Sequence, residues 1–132
     1  MTTNPPTPDV LWMAPSPPDR WYLAYTKPRQ ESIAQVNLAQ QAFDVYLPLY
    51  KKFKKTEHGP VALFEPMFPR YILLRPSKPE QSISAVRSTK GIATLVRFGF
   101  EPAQIPDELV QRIRQLEQDR NQATLQELSN LK

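Results

Sequence analysis

Two prolines, Pro66 and Pro69, immediately precede an apolar run at residues 71–74, and this order limits the folds open to the chain. Proline cannot donate a hydrogen bond to a β-ladder, so it suits the start of a strand and not the interior of a central one. The aromatic and aliphatic residues from Phe68 onward therefore predict a strand that is buried on both faces. Because such a strand needs cover on each side, we expect it to be central in its sheet.

The preceding residues predict a second central strand and a helix. Residues 21–26 are aromatic and apolar, which is typical of a buried strand. Pro28 suits the first turn of a helix that we predict over residues 31–43, with Asp44 ending it as a turn residue. The helix residues expected to pack on the sheet recur every four positions: Ala34, Leu38 and Ala42.

A lysine-rich hairpin is predicted next. Residues 45–53 indicate a strand, and Pro48 favours an edge position for it. Residues 51–55 hold four lysines around one phenylalanine, either as solvated hairpin surface or as a phosphate contact. Residues 56–60 predict the hairpin loop, and residues 61–64 the returning strand.

The remaining elements complete an α+β pattern. Residues 79–88 predict a short helix with Ile83 and Val86 buried, and residues 92–98 predict the last strand. Pro106 begins a helix whose predicted packing positions are Leu109, Ile113 and Leu116, with Val110 offset from them. This order predicts a ferredoxin-like split β-α-β sandwich: an antiparallel sheet with flanking helices and an added C-terminal helix.

The length of 132 residues indicates one domain. Residues 1–20 hold six of the fifteen prolines and predict a disordered tail; a polyproline ligand for a partner protein is the alternative. We assign the domain to residues 21–118. Residues 119–132 form either a linker or a helical extension.

Composition excludes several classes of function. The absence of cysteine excludes a disulfide framework and a thiolate metal site. Apolar runs fall short of the ~18 residues that span a membrane. The single histidine, His58, lies in the Gly-Pro loop without an evident catalytic partner. We therefore predict a non-enzyme with no cofactor, metal, membrane or small-molecule substrate, while the net charge of +4 is compatible with nucleic acid.

Four motifs carry a resemblance to a known family. Residues 65–72 read Glu-Pro-Met-Phe-Pro-Arg-Tyr-Ile and resemble the E-P-x-F-P-x-Y motif of the NusG/RfaH transcription elongation factors. Residues 21–27, 89–91 and 96–99 agree with the same family in order and spacing. The similarity runs from about residue 21 to residue 116 and is closer to the RfaH-like members. It implies the fold of the NusG N-terminal domain, an antitermination factor and a cytoplasmic location.

The resemblance implies binding to bacterial RNA polymerase, through a hydrophobic depression that docks on the clamp helices of the largest subunit and suppresses pausing. The matching residues here are Phe68, Tyr71, Leu73, Phe98 and Val110. We expect Leu73 to be mostly core and the three aromatic residues to be partly exposed. RfaH-like members contact the opposite gate loop through a His-Thr-Thr stretch, which Ser82-Ile83-Ser84 replaces here.

The resemblance also implies a contact with the non-template DNA strand. Lysines can hold phosphates and amides can hydrogen-bond base edges. The matching residues are Lys27, Gln30, Asn37, Gln40, Gln41, Thr89 and Lys90, with Arg87 nearby. Several positions that are basic or imidazole in RfaH differ here, including Ile33 and Asn37. The recognised DNA element should therefore differ from that of RfaH, or sequence specificity is lost.

The competing hypothesis is a ferredoxin-like module that binds single-stranded nucleic acid without a polymerase partner. Residues 91–98 lack the aromatic motif that such modules use for base stacking. The family normally adds a KOW-type β-barrel, which we expect this chain to lack because it ends at Lys132. It would then bind polymerase without coupling to translation or Rho. Glu65 matches the residue that clamps the second domain in RfaH, and here it should be solvated.

Overall fold

The computed structural model describes the backbone of residues 20–129 and the side chains of residues 20–122. The predicted tail lies outside these residues except for Arg20, which begins the first strand. The helices are α1 (Glu31–Gln40) and α2 (Asp107–Ser129), with a 3-10 helix (Val86–Ser88) between them. The strands are β1 (Arg20–Thr26), β2 (Phe43–Tyr46), β3 (Leu49–Thr56), β4 (Gly59–Pro66), β5 (Tyr71–Pro76), β6 (Ile92–Leu95), β7 (Arg97–Phe98), β8 (Glu101–Pro102) and β9 (Gln104–Pro106).

One antiparallel sheet organises the domain, with strand order β2-β5-β1-β6 and with β9 also paired to β1. β5 and β1 are its inner strands, as residues 71–74 and 21–26 predicted. Ile72, Leu73 and Leu74 are all buried, as a central strand requires. The predicted α+β class, with a C-terminal helix added to the sheet, is confirmed.

Each face of the sheet packs against one helix. Successive side chains of a strand point to opposite faces, so β1 and β5 supply both cores. Ala24 and Ile72 join Leu38 of α1 in the larger core cluster. Leu73 joins Val110 of α2 in the second cluster, on the other face. The two helices therefore cover opposite faces of the sheet.

Helix α1 begins where predicted but ends earlier, at Gln40 instead of at residue 43. Pro28 lies in the turn before α1, which begins at Glu31. At the other end Ala42, expected to pack on the sheet, is exposed and adopts a left-handed φ of 67°. The amide of Gln81 donates to the carbonyl of Gln41 at 2.7 Å, satisfying a group that the helix end leaves open. Asp44 accordingly lies in β2 instead of in a turn.

The helix predicted over residues 79–88 is reduced to the 3-10 helix at residues 86–88. Serine side chains compete for the backbone groups that a helix would use. The backbone N–H of Ser84 donates to Oγ of Ser82 at 3.1 Å. Ile83 and Val86 are nevertheless buried, as their spacing predicted.

Two predicted strands are each split into two. The strand predicted over residues 45–53 breaks at Pro48 into β2, which is an edge strand, and β3, which joins the hairpin. The last strand breaks at Val96, whose N–H donates to the carbonyl of Leu23 at 2.8 Å. The chain then leaves the sheet as the short β7–β8 hairpin, which carries Phe98.

Helix α2 packs on the sheet through Val110 and Ile113, of which only Ile113 was a predicted packing position. Val110, expected to be offset, is fully buried, whereas Leu116 is 56% exposed. Leu109 is also exposed. Neighbouring helix positions lie about 100° apart, so a shift of one position changes which side faces the core. The helix continues through residues 119–129.

Candidate functional site

An apolar groove of about 420 Å³ lies on the α2 side of the sheet. Its floor comes from paired residues of the inner strands, since Leu23 of β1 lies opposite Leu73 of β5. Helix α2 forms one wall, and the loop before β5 and the β7–β8 hairpin supply aromatic residues. The lining residues are Leu23, Pro48, Phe68, Tyr71, Leu73, Val96, Phe98, Ile105, Leu109 and Ile113.

The groove brings together four of the five residues that the family resemblance assigned to the clamp-helix contact. Phe68, Tyr71 and Phe98 are exposed, and Phe98 is 71% exposed. Leu73 is only 4% exposed and forms part of the floor. The expected burial of these four residues is therefore confirmed. Val110 is fully buried between α2 and the sheet, in the same core cluster as Leu73, so it cannot touch a partner directly.

A more open depression of about 430 Å³ adjoins the groove and shares Tyr71 and Val96 with it. Tyr25 lies opposite Tyr71 across the two inner strands, with ring centroids 5.2 Å apart. The guanidinium of Arg70 stacks 4.0 Å from the Tyr25 ring. The groove thus continues into an aromatic end with a positive charge, which sequence analysis missed because Tyr25 sits within a run predicted to be core.

Hydrogen bonds hold the start of α2 in place as a wall of the groove. Nε1 of Trp21 donates to Oδ1 of Asp107 at 2.9 Å. Arg75 lies 3.4 Å from the same oxygen and stacks 4.4 Å over the Trp21 ring. The Trp21 hydrogen bond, assisted by a bond from Gln111 and by the Arg75 charge, holds the pKa of Asp107 below its usual range.

A second set of bonds anchors the middle of α2 to strand β3. Glu117 accepts hydrogen bonds from the Tyr46 hydroxyl, at 3.0 Å, and from the backbone N–H of Leu49. Burial and the Glu117 bond raise the pKa of Tyr46 well above its usual range. One turn later, Asn121 accepts from the backbone N–H of Lys51 at 2.8 Å. Sequence analysis missed this anchor because polar residues four apart on a helix also occur on plain solvated surfaces.

The predicted DNA-contacting residues gather on the other side of the sheet, where the turn at residues 89–91 packs against α1. The backbone N–H of Lys27 donates to the carbonyl of Gly91 at 2.8 Å. Nε2 of Gln41 donates to Oγ1 of Thr89 at 2.9 Å, linking the helix end to the turn. Lysines and amides from three separate segments therefore share one surface, which we call the α1-side surface. Its exposed members are Lys27, Gln40, Gln41, Arg87 and Lys90.

Some members of this set are engaged within the chain. Thr89 is buried and its hydroxyl donates to the carbonyl of Ala85 at 2.9 Å while accepting from Gln41. Nδ2 of Asn37 donates to the carbonyl of Ile33 at 2.8 Å. Gln30 is partly exposed and occupies the N-cap position of α1 without a side-chain capping bond. Thr89 therefore positions the turn and does not itself present a hydrogen-bonding group at the surface.

The proposed gate-loop residues lie in the segment that replaces the predicted helix. Ser84 is exposed, and the hydroxyls of Ser82 and Ser84 lie 3.1 Å apart. Ile83 between them is buried in the α1-side core cluster. The two serines therefore belong to the α1 side of the domain and are separate from the groove.

Residues 20–122 contain no cluster of three or more His, Asp or Glu side chains that could hold a metal ion. His58 is exposed in the turn between β3 and β4. No helix within residues 20–129 is long and apolar enough to cross a membrane. Glu65, expected to be solvated, is half-exposed and pairs with Lys52 at 3.0 Å.

Most of the chain matches a known protein family. Residues 19–114 match the family described as "Transcription termination factor nusG", which is more than half of the chain. The match covers the inner strands, both candidate surfaces and the first two turns of α2. Members of this family are transcription factors that act with RNA polymerase, and the family is not a known enzyme family. The chain belongs to the NusG family of transcription elongation and termination factors.

Proposed function

We propose that the groove docks on the clamp helices of the largest RNA polymerase subunit and that the chain suppresses pausing as an RfaH-like antitermination factor. The exposed groove carries this proposal. Three exposed aromatic residues surround a buried leucine floor, and an apolar depression bordered by charged residues is typical of a protein-binding surface. A helical partner suits the groove because a helix presents apolar residues along one stripe.

The α1-side surface contacts the non-template DNA strand in this proposal. Lys27 and Lys90 are exposed and hold phosphates, and the exposed amide of Gln40 reads a base edge. Gln41 and Thr89 keep the turn against the helix. Ser84, exposed in the preceding loop, is the candidate for a contact with the opposite side of the polymerase cleft. A domain that touches both sides of the cleft would keep the clamp closed around DNA.

Binding to core polymerase in the absence of nucleic acid tests the docking step. We expect the affinity to survive high salt, because burial of apolar surface does not depend on counterion release. Tyr71→Ala, at the junction of the groove and the adjoining depression, should weaken binding about tenfold. No binding of the folded chain to core polymerase, together with salt-sensitive binding to a single-stranded oligonucleotide, would instead favour the alternative, a ferredoxin-like nucleic-acid-binding module without a polymerase partner.

The DNA contact is tested on an elongation complex whose non-template strand is exposed. Replacing Lys27 and Lys90 together by alanine should weaken binding to this complex. It should also lower the slope of log affinity against log salt by the amount that corresponds to about two phosphate contacts. Binding to core polymerase alone should not change. Equal losses on both targets would remove the α1-side surface from DNA recognition.

A further inference from the structure

The β3–β4 hairpin has two chemically different faces. Its strands pair along their whole length, from Leu49 opposite Pro66 to Thr56 opposite Gly59, and they form a separate two-stranded sheet. Alternation along each strand sorts the side chains into two sets. One set, which we call the phenylalanine face, comprises Lys51, Phe53, Lys55, Ala62 and Phe64. The opposite face comprises Tyr50, Lys52, Lys54, Val61, Leu63 and Glu65.

On the opposite face, one of the two lysines is paired with a carboxylate. Lys52 lies 3.0 Å from the carboxylate of Glu65 and 5.1 Å from the Tyr50 ring. The Glu65 bond raises the pKa of Lys52, as expected for an ammonium with a fixed acceptor. Among the described hairpin residues on the phenylalanine face, none carries a carboxylate. That face therefore presents two lysines to an external anion.

The two phenylalanines form a small aromatic platform. Phe53 lies opposite Ala62, so Phe64 is its diagonal cross-strand neighbour, close enough for large side chains to meet. Phe64 is 58% exposed. The ammonium of Lys51 lies 5.6 Å from the Phe53 centroid and 5.7 Å from the Phe64 centroid. Rings and cations thus alternate on one strand face.

From this geometry we infer that the phenylalanine face binds single-stranded nucleic acid, at a site separate from the groove and the α1-side surface. Bases stack on aromatic side chains while lysines follow the phosphates, which is how proteins hold single strands without sequence preference. Stacking of a base on the rings contributes more binding free energy than an exposed cation–π contact, so the base displaces the Lys51 ammonium from the rings. The released ammonium then pairs with the phosphate of the same nucleotide.

An acidic protein segment fits this face less well. Carboxylates would pair with Lys51 and Lys55 as point charges and would leave the rings uncovered. A duplex also fits less well, because its bases are already stacked on each other. The platform therefore favours unpaired bases over either alternative.

Fluorescence anisotropy with labelled oligo-dT and oligo-U, in the absence of polymerase, tests the inference on the whole chain. Phe64→Ala should weaken binding about fivefold or more, because it removes one stacking surface. Leu63→Ala, which removes an exposed apolar side chain from the opposite face, should leave the affinity unchanged. Circular dichroism establishes that each variant is folded.

The charge contribution is measured with a second matched pair. Lys55→Ala should lower the slope of log affinity against log salt by about 0.7. Lys54→Ala, one residue away on the opposite face, should leave the slope unchanged. Comparing the two oligomers shows whether DNA or RNA is preferred, and binding of either supports the site.

Three results would overturn the inference. The first is an equal effect of Phe64→Ala and Leu63→Ala. The second is equal binding of a duplex or of polyglutamate. The third is loss of oligo-dT binding on replacing Lys27 and Lys90 while Phe64→Ala has no effect, which would assign the strand to the α1-side surface. Because polymerase is absent, none of these results depends on groove docking.

Discussion

At the residue scale, Gly91 determines how closely the turn at residues 89–91 approaches α1. It adopts a φ of 92°, and a Cβ there would lie 2.7 Å from the backbone nitrogen of Ala34. Gly91→Ala should therefore lower the free energy of unfolding by about 3 kcal/mol, since it combines backbone strain with a contact to an immobile backbone. Urea denaturation measures the change.

Gly59→Ala is the matched control for this experiment. Gly59 adopts a similar φ of 108°, but nothing lies within 4 Å of a Cβ placed there. It should carry backbone strain alone and cost about 1 kcal/mol. Equal losses for Gly91 and Gly59 would show that the close approach to α1 is unimportant for stability.

Ionisation of Asp107 makes the thermal stability of the domain depend on pH in the acid range. The Trp21 hydrogen bond holds its folded pKa below the ordinary value of 3.8, so its contribution is present above pH 3.8. It is lost as pH falls through the lower folded pKa, because the protonated carboxyl binds Trp21 and Arg75 less well. Asp107→Asn should therefore lower the Tm at neutral pH, and the difference from wild type should shrink under acid.

Glu108→Gln controls for the negative charge that any helix N-terminus favours, since Glu108 occupies the same first turn. Thermal melts of the three proteins between neutral and acid pH make the comparison. A Tm difference for Asp107→Asn that is independent of pH would contradict the assigned role of the ionised carboxylate.

At the element scale, α2 is held to β3 by side chains of its middle turns. Glu117 accepts hydrogen bonds from Tyr46 and from the backbone of Leu49. Glu117→Ala leaves both donors without that partner and should cost about 2 kcal/mol in urea denaturation. Gln118→Ala, exposed on the same turn, should cost nearly nothing. An equal loss of unfolding free energy in both variants would indicate a general effect on helix propensity and not the loss of the Glu117 hydrogen bonds.

Sequence patterns predicted the inner strands better than the elements around them. Apolar runs at residues 21–26 and 71–74 leave few alternatives to a central strand. At Val96, where residues 92–98 split, the N–H donates to Leu23 and the carbonyl accepts from Ala103, and local pattern reveals neither of these long-range bonds. The lost helix at residues 79–88 depends likewise on serine hydroxyls that compete with the backbone, as at Ser82.

At the scale of the whole molecule, the two candidate surfaces lie on opposite sides of one sheet. The groove opens on the α2 side, and the lysine and amide residues gather on the α1 side. A single rigid sheet could therefore hold a protein on one side and a nucleic acid strand on the other. The hairpin adds a third surface beyond the edge of this sheet.

The candidate site was only partly predictable from sequence. The motif at residues 65–72 pointed to the exposed aromatic residues of the groove, and their burial agrees. Val110 was predicted to contact a partner but is buried, because a shift of one position along a helix changes a buried position into an exposed one. Thr89 was predicted to contact DNA but is buried. Its hydroxyl bonds to Gln41 and Ala85, which become its neighbours only in the folded chain. Tyr25 lies at the site because β1 pairs with β5 and places it opposite Tyr71.

Groove docking on polymerase is tested most directly by two phenylalanines in the β7–β8 hairpin. Phe98 lines the groove and is 71% exposed; Phe100, two residues later, is 77% exposed and lies outside the residues that line it. The measurement is the Kd for core RNA polymerase of wild type, Phe98→Ala and Phe100→Ala. The groove account predicts about tenfold weaker binding for Phe98→Ala and wild-type binding for Phe100→Ala. Equal affinities for the two folded variants would contradict it.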